Sequence, residues 1–182
     1  MLYVDTSVIV SALTNEADTA LSQVWLAKQE TSELTISDWT TTESASALSI
    51  KLRTGALGAD ARAAALSAFT RLCAESFGTL PVGREDFRAA ARFADQSELN
   101  LRAGDALHLA ICANHGASLC TLDRRLAEAA RESACRCANL RCQNEISVFR
   151  RQSFLVNATK PLRPAQACRR CADRPRSARS YD

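Results

Sequence analysis

The chain has 182 residues, which fits one domain of about 100–150 residues followed by a tail. Residues 1–140 carry 13 basic and 17 acidic side chains, whereas residues 141–182 carry 10 basic and 3 acidic ones. A mildly acidic body argues against a general nucleic-acid binder with a broad basic face. The N-terminus lacks the features of a signal peptide, and no apolar run approaches the roughly 20 residues that span a bilayer. We therefore expect a cytoplasmic protein with no membrane partner.

Short strands are predicted to alternate with helices along the body of the chain. The predicted strands are 2–4, 34–36, 79–82 and 117–120, and the predicted helices are 7–13, 17–30, 38–53, 59–77, 84–97, 105–115 and 123–131. Ser7 is the predicted cap of the first helix, Ser37 or Asp38 caps the third, and Pro81 indicates an edge strand. This alternation is typical of an α/β fold whose mostly parallel central sheet is flanked by helices.

Four acids lie where a solvated surface acid is not the natural interpretation. Asp5 ends the first strand, Glu43 continues an otherwise apolar helix row, Asp105 opens the most apolar helix, and Asp123 follows the last clear strand. Three of them are at strand ends or helix N-termini, which tend to share one edge of a parallel sheet. Each also has a plainer explanation, because the three aspartates are plausible helix caps and Glu43 is a plausible exposed helix acid. Capping and a shared site are compatible, since a helix N-terminus stabilises a carboxylate.

The segments around these acids resemble the motifs of PIN-domain proteins. The family's opening motif resembles residues 2–7, Leu-Tyr-Val-Asp-Thr-Ser. Its third acidic motif resembles residues 101–110, Leu-Arg-Ala-Gly-Asp-Ala-Leu-His-Leu-Ala. Its fourth resembles residues 119–130, Leu-Cys-Thr-Leu-Asp-Arg-Arg-Leu-Ala-Glu-Ala-Ala. Glu43 stands where the second acid is expected. The resemblance covers about residues 1–133 and is greatest to the VapC toxins, the ribonucleases of toxin–antitoxin pairs. It implies a three-layer PIN-like fold over residues 1–140.

The resemblance also implies a divalent-metal site. Four converging carboxylates repel one another unless protons or metal ions relieve the repulsion, and hard oxygen ligands suit Mg²⁺ or Mn²⁺. Two ions about 4 Å apart could activate a water and stabilise the leaving oxygen. Asp5 and Asp105 would be the central ligands, and Glu43 and Asp123 would complete the set or orient bound waters. Hydrogen bonds around the ligands are expected from Thr6 and Thr121.

The implied reaction is endonucleolytic hydrolysis of an RNA phosphodiester bond. Arg102 and Arg124 flank the third and fourth motifs, so each is a candidate phosphate contact or simply a solvated arginine. His108 is interpreted as a helix-packing residue rather than a ligand. By the same resemblance, a cognate antitoxin protein is the expected partner, and the chain is expected to form a homodimer.

Two other functions compete with this interpretation. Phosphatases of the haloacid dehalogenase type also use an acid at the end of the first strand, but they need a second aspartate where this chain has Ser7. A PIN-like fold could instead be a non-catalytic RNA- or protein-binding module. The presence of all four acids argues against a loss of catalysis.

Residues 141–182 form a basic tail, rich in cysteine and arginine, that resembles nothing in the family. The run 135–140 could be a last strand, although Arg136 and Asn139 make it a poor one. For the tail we prefer the hypothesis that read-through in a shifted frame replaced the last strand, which could leave the sheet edge uncovered. The tail is predicted to be disordered and dispensable for activity. Its arginines could bind RNA, and five cysteines could bind zinc, namely Cys135, Cys137, Cys142, Cys168 and Cys171. Three other cysteines, Cys73, Cys112 and Cys120, are expected to be buried free thiols in a reducing compartment.

Overall fold

Five short strands form one sheet in residues 1–141, the part of the chain that this computed structural model describes. All neighbouring strands are parallel, and their order across the sheet is β3-β2-β1-β4-β5. The strands are β1 (Leu2–Val4), β2 (Leu34–Ser37), β3 (Gly78–Leu80), β4 (Ser118–Thr121) and β5 (Cys137–Asn139). In the register, Tyr3 lies beside Thr35 on one side and Leu119 on the other. The expected parallel α/β sheet is therefore confirmed.

Each connection between strands passes through at least one helix, as parallel pairing requires. The helices are α1 (Thr6–Leu13), α2 (Thr19–Leu26), α3 (Asp38–Arg53), α4 (Ala59–Ser76), α5 (Arg84–Asp95), α6 (Ala103–His115) and α7 (Arg124–Glu132), with short 3₁₀ helices at Thr31–Glu33 and Ser97–Leu99. Ser37 caps α3, since its hydroxyl accepts the Thr40 backbone N–H and Thr40 bonds back to Ser37. This capping box starts α3 immediately after β2.

Helices cover both faces of the sheet. Tyr3 and Leu119 pack into a core with residues of α5, α6 and α7, whereas Val4 and Cys120 pack into a second core with residues of α1 and α4. Successive strand residues point to opposite faces, so β1 and β4 contribute to both cores. The fold thus has the three layers that the PIN-like resemblance implies.

The sheet reverses its direction of growth beside β1. The chain builds outward from β1 through β2 to β3, and then returns to place β4 on the other side of β1. Ligands of open α/β sheets bind at such a switch point, outside the carboxyl ends of the strands. Asp5 follows β1 and Asp123 follows β4, so both acids emerge there.

The predicted starts of α1 and α2 are wrong. Helix α1 begins at Thr6 with Asp5 at the N-cap position, because the Ser7 hydroxyl is engaged elsewhere, by Asp5 and by the Leu122 backbone N–H. Helix α2 begins at Thr19 rather than near Ala17, since the Thr19 hydroxyl donates to the Thr14 carbonyl and accepts the Glu16 N–H. These bonds shape the preceding loop instead of a first helical turn.

The expectation that the sheet edge beside β4 is uncovered is also wrong. Strand β5 pairs with β4 along Leu119 to Thr121. The two polar residues that made this run a poor strand have tertiary partners, as Arg136 donates to the Gly116 carbonyl and Asn139 to the Asp123 carbonyl. The predictions for the tail beyond Arg141, including zinc binding by Cys142, Cys168 and Cys171, concern residues that lie outside the described part of the chain.

The expected thiols form no disulfide, but they differ in burial. Cys112 and Cys120 are buried and Cys73 is half-buried. Burial raises the pKa of Cys120 to about 12 and that of Cys112 well above its usual range, so both behave as small apolar core residues. Within residues 1–141, no helix combines the length and apolar character that crossing a bilayer requires.

Candidate metal centre

Asp5 is buried and held by hydroxyl groups from two elements. Its Oδ2 accepts hydrogen bonds from Ser7 Oγ at 2.5 Å and Thr121 Oγ1 at 2.7 Å. Its side chain makes no capping bond to α1, although Asp5 occupies the N-cap position. The expected capping role is therefore absent, and the carboxylate is fixed at the switch point by neighbours from α1 and β4.

Glu43 and His108 meet beside Asp5. His108 Nε2 lies 2.7 Å from Glu43 Oε2 and 3.3 Å from Asp5 Oδ1, while its Nδ1 lies 2.9 Å from the Tyr3 hydroxyl. Burial opposes a charge on the ring, but the negative charges of Asp5 and Glu43 raise the pKa of His108. Burial likewise opposes the charge of Glu43, yet the hydrogen bond and charge of His108 lower its pKa. His108 thus lies between two carboxylates whose charges favour its protonated form, besides packing within α6.

Asp105 lies in the first turn of α6, whose N-cap position is Arg102. Its Oδ2 accepts the Arg102 backbone N–H at 3.3 Å, so this carboxylate is at the third helical position and is not the cap. Burial raises the pKa of Asp105, the Arg102 N–H lowers it, and the charges of Asp123, Asp5 and Glu43 raise it further. Mutual repulsion of this kind requires that the four carboxylates lie in one region.

Asp123 caps α7 with one of its two carboxylate oxygens. Its Oδ1 caps α7 by accepting the backbone N–H groups of Arg125 at 2.7 Å and Leu126 at 3.0 Å. Its own N–H donates to Thr121 Oγ1, the hydroxyl that bonds Asp5. Since the cap uses a single oxygen, Oδ2 is not committed to the helix.

A cleft of about 560 Å³ brings the predicted site together. Its polar lining consists of Asp5, Thr6, Ser7, Glu16, Asp18, Glu43, Ser46, Asp105, Asp123 and Arg141. Thr121 lies behind Asp5, and Thr6 hydrogen-bonds Glu43 and lies 3.5 Å from His108 Nε2. Arg102 and Arg124 are exposed and do not line the cleft.

Gly104 allows α6 to approach α3 at the edge of this cleft. A Cβ atom at Gly104 would lie 3.0 Å from Glu43 Oε1 and 3.3 Å from Trp39 Cζ2. Both distances are shorter than ordinary van der Waals contact, so a side chain here would press on Glu43. The absence of a side chain at Gly104 thus allows Glu43 and Trp39 to lie against the first turn of α6.

The donor set fits a hard divalent cation. Asp5, Glu43 and His108 each offer one ligand atom, and these atoms lie within 4.8 Å of one another. The only nitrogen in this group already contacts two carboxylates, while Asp105 and Asp123 add further oxygens along the same cleft. Carboxylate oxygens favour Mg²⁺ or Mn²⁺ over softer ions. A cation would also relieve the repulsion that raises the pKa of Asp105.

The structure adds three residues to the predicted site. Ser7 follows Asp5 by two positions and donates a hydrogen bond to it, whereas in the sequence its position indicates only that the phosphatase function is disfavoured. His108 follows Asp105 by three positions, a spacing that places both on one helix face and could have identified it. Gly104 gives no such signal, because its role depends on the tertiary approach of α3.

Comparison with known proteins agrees with this fold. The PIN domain family model matches residues 2–132. The solved structures that resemble the chain include FitAcB from Neisseria gonorrhoeae (17% identity, TM-score 0.57, covering 77% of this chain and 98% of that one). VapC20 from Mycobacterium tuberculosis, described as a sarcin–ricin loop cleaving toxin, has 19% identity and a TM-score of 0.58, and the match covers 71% of this chain and 95% of that one. PAE2754 from Pyrobaculum aerophilum has 25% identity and a TM-score of 0.53, and the match covers 70% of this chain and 83% of that one. No curated protein matches the sequence significantly.

The family match spans most of the described residues and includes the four predicted site acids, all of which line the cleft. The solved structures agree with it at the level of the fold. The predicted PIN-domain resemblance is thereby confirmed, and the chain belongs to the PIN domain family.

Proposed function

We propose that this protein is a divalent-metal-dependent endoribonuclease and the toxin of a toxin–antitoxin pair. The observation that carries the proposal is the convergence of Asp5, Glu43, Asp105 and Asp123 in one cleft at the switch point of the sheet. PIN domains are generally nucleases, and VapC20, which shares the fold, is described as a toxin that cleaves the sarcin–ricin loop. RNA is therefore the substrate class that we expect.

The carboxylates would hold Mg²⁺ or Mn²⁺, with Asp5 and Asp105 as central ligands and Glu43 and Asp123 completing the set. When bound, the metal supplies Lewis-acid activation of water and neutralises charge at the scissile phosphate. The chain itself fixes the ligands. Thr121 and Ser7 hold Asp5, and a restrained ligand set binds an ion with less ordering of side chains than a mobile one.

His108 would act as a positioning residue for Glu43. Its Nε2 contacts the carboxylates of Glu43 and Asp5, while its Nδ1 hydrogen-bonds the Tyr3 hydroxyl. Ring orientation set by a second hydrogen bond is common in metal sites. Thr6 supports the same corner through its bond to Glu43.

RNA cleavage by the purified full-length protein tests the catalytic proposal. We expect cleavage of a structured RNA in Mg²⁺, loss of cleavage in excess EDTA, and recovery on addition of Mn²⁺. Asp105→Asn, purified identically, controls for contaminating ribonuclease and should be inactive. RNA binding without cleavage in either metal would contradict the proposal and support a non-catalytic PIN-like module.

The proposed partner is an antitoxin encoded beside this gene. Co-expression with the neighbouring open reading frame should yield a complex that purifies through a tag on either chain and suppresses the ribonuclease activity. Light scattering on the isolated protein tests the expected homodimer. Failure of any small neighbouring polypeptide to co-purify would count against the toxin assignment but not against the nuclease.

A further inference from the structure

We propose that Arg141 binds a phosphate group of the RNA strand that enters the cleft. This inference rests on the proposed ribonuclease function and names the contact that the substrate backbone would make. It assigns the phosphate contact to a residue other than Arg102 and Arg124, which are exposed and outside the cleft lining. Arg141 also lies beyond residues 2–132, the span of the family match.

The guanidinium of Arg141 is held at the wall of the cleft by Asp18, the residue before α2. Its Nε donates to Asp18 Oδ2 at 3.0 Å, and its Nη2 donates to the same oxygen. An arginine side chain has five N–H donors, so this ion pair leaves three that Asp18 does not use. The side chain is 42% exposed, and it lines the cleft together with the four carboxylates.

Charge around the cleft makes this position distinctive. Six acids line it, namely Asp5, Glu16, Asp18, Glu43, Asp105 and Asp123, and Arg141 is the only basic residue lining it within residues 1–141. Two of these acids, Glu16 and Asp18, lie between α1 and α2. Glu16 forms an ion pair with Lys51 at 2.7 Å, and Asp18 forms an ion pair with Arg141. A polyanion needs a cation in such a cleft besides any metal, and the planar fork of arginine matches phosphate geometry.

The backbone of Arg141 is tied to the candidate metal centre. Its N–H donates to Asn139 Oδ1 at 3.1 Å, and Asn139 Nδ2 donates to the Asp123 carbonyl at 3.5 Å. Asn139 ends β5, the strand that the sequence made doubtful. These bonds place Arg141 on the nuclease side of the boundary predicted at residues 140 and 141. We therefore expect that removing the predicted tail at Arg141 would remove a substrate contact.

Steady-state cleavage of RNA by the full chain carrying Arg141→Gln tests the inference. Loss of a charged hydrogen bond to phosphate should raise KM about tenfold or more, with kcat and the Mg²⁺ dependence changed much less. Arg141→Lys should restore part of the loss because it keeps the charge without the fork. Arg88→Gln is the matched control, since Arg88 forms an exposed ion pair with Glu85 and does not line the cleft.

Asp18→Asn separates substrate binding from a purely structural ion pair. If Arg141 binds phosphate, this change weakens the pair but leaves the guanidinium at the cleft, so KM should stay unchanged or fall. If Arg141 only ties the chain to α2, Arg141→Gln and Asp18→Asn should lower the melting temperature equally and leave KM alone, which overturns the inference.

Failure of the proposed function itself gives a different result. An inactive wild type would refute the ribonuclease proposal, and fluorescence anisotropy of labelled RNA in Ca²⁺ would then test Arg141 directly. Weaker RNA binding by Arg141→Gln than by wild type supports the contact. Equal binding by the two proteins contradicts it.

Discussion

Asp5 shows how single hydroxyl groups determine what an aspartate does. At an N-cap position its carboxylate would ordinarily accept a backbone N–H of the helix, but here Ser7 and Thr121 donate to it instead. Asp123 has the opposite arrangement, since it caps α7 and still borders the cleft. Two aspartates at equivalent junctions therefore differ in what a substitution should do.

Substitution of Asp123 should separate its two roles. Asp123→Asn keeps an oxygen for the cap but loses the charge, so stability in EDTA should stay near wild type while Mg²⁺ affinity falls. Asp123→Ala also loses the cap, which should cost about 1 kcal/mol of unfolding free energy. Urea unfolding and calorimetric Mg²⁺ titration measure the two effects. Equal destabilisation by both variants would contradict the capping role.

At the scale of elements, the decisive contact is that of α6 with α3. Gly104 brings the first turn of α6 against Glu43 and Trp39, and Asp105 follows immediately. The same approach places His108, one turn later, in contact with Glu43. The positions of Glu43 and Asp105 in the cleft are therefore a property of two packed helices and not of either helix alone.

Gly104→Ala should weaken metal binding without unfolding the protein. Alanine favours the helix more than glycine does, but its Cβ would lie 3.0 Å from Glu43 Oε1, so the carboxylate must move. We expect several-fold weaker Mg²⁺ binding by calorimetry, with an unfolding free energy within about 1 kcal/mol of wild type. Gly58→Ala is the control, because nothing lies within 4 Å of a Cβ there. Unchanged Mg²⁺ affinity for Gly104→Ala would contradict the expected displacement of the Glu43 carboxylate.

The contrast between β1 and β5 shows what the sequence can predict. Apolar runs and helical spacing correctly identify β1, β2 and most helices, because those patterns depend on local periodicity. Arg136 and Asn139 make β5 look like a poor strand in the sequence. Their hydrogen-bond acceptors are the carbonyl groups of Gly116 and Asp123, which come close to them only in the folded chain.

The candidate site follows the same division. The order of the acids along the chain and their junction positions predict that they share one edge, and the cleft contains all four. The spacing of His108 from Asp105 could have indicated His108, but the contacts of Ser7 and Arg141 depend on which helices and loops meet at the switch point. Periodicity carries no information about such meetings, so these contacts could not be predicted.

For the whole molecule, folding and metal binding should be coupled. The four carboxylates come from the ends of β1 and β4 and from α3 and α6, and burial together with their repulsion raises the pKa of Asp105. A cation bound there joins elements from distant parts of the chain. It would bind the folded state only, because the unfolded chain does not assemble the ligands.

Thermal unfolding should therefore depend on Mg²⁺. Saturation at 100 times Kd should add about 2.7 kcal/mol of stability, visible as a rise in melting temperature over the EDTA-treated protein. NaCl at equal ionic strength controls for general screening and should not reproduce the rise. A melting temperature that is the same in Mg²⁺ and in NaCl would contradict specific binding.

The central claim is that Asp5 anchors a metal site that cleaves RNA. The most direct test compares single-turnover cleavage of one RNA by wild type and Asp5→Asn in saturating Mn²⁺. Asparagine still accepts a bond from Ser7 or Thr121 but lacks the charge, so the fold should persist while the cleavage rate falls about 100-fold or more, since interactions made to developing charge carry large rate factors. Cleavage by Asp5→Asn at a rate close to that of wild type would contradict the assignment of Asp5 as a ligand of the proposed metal site.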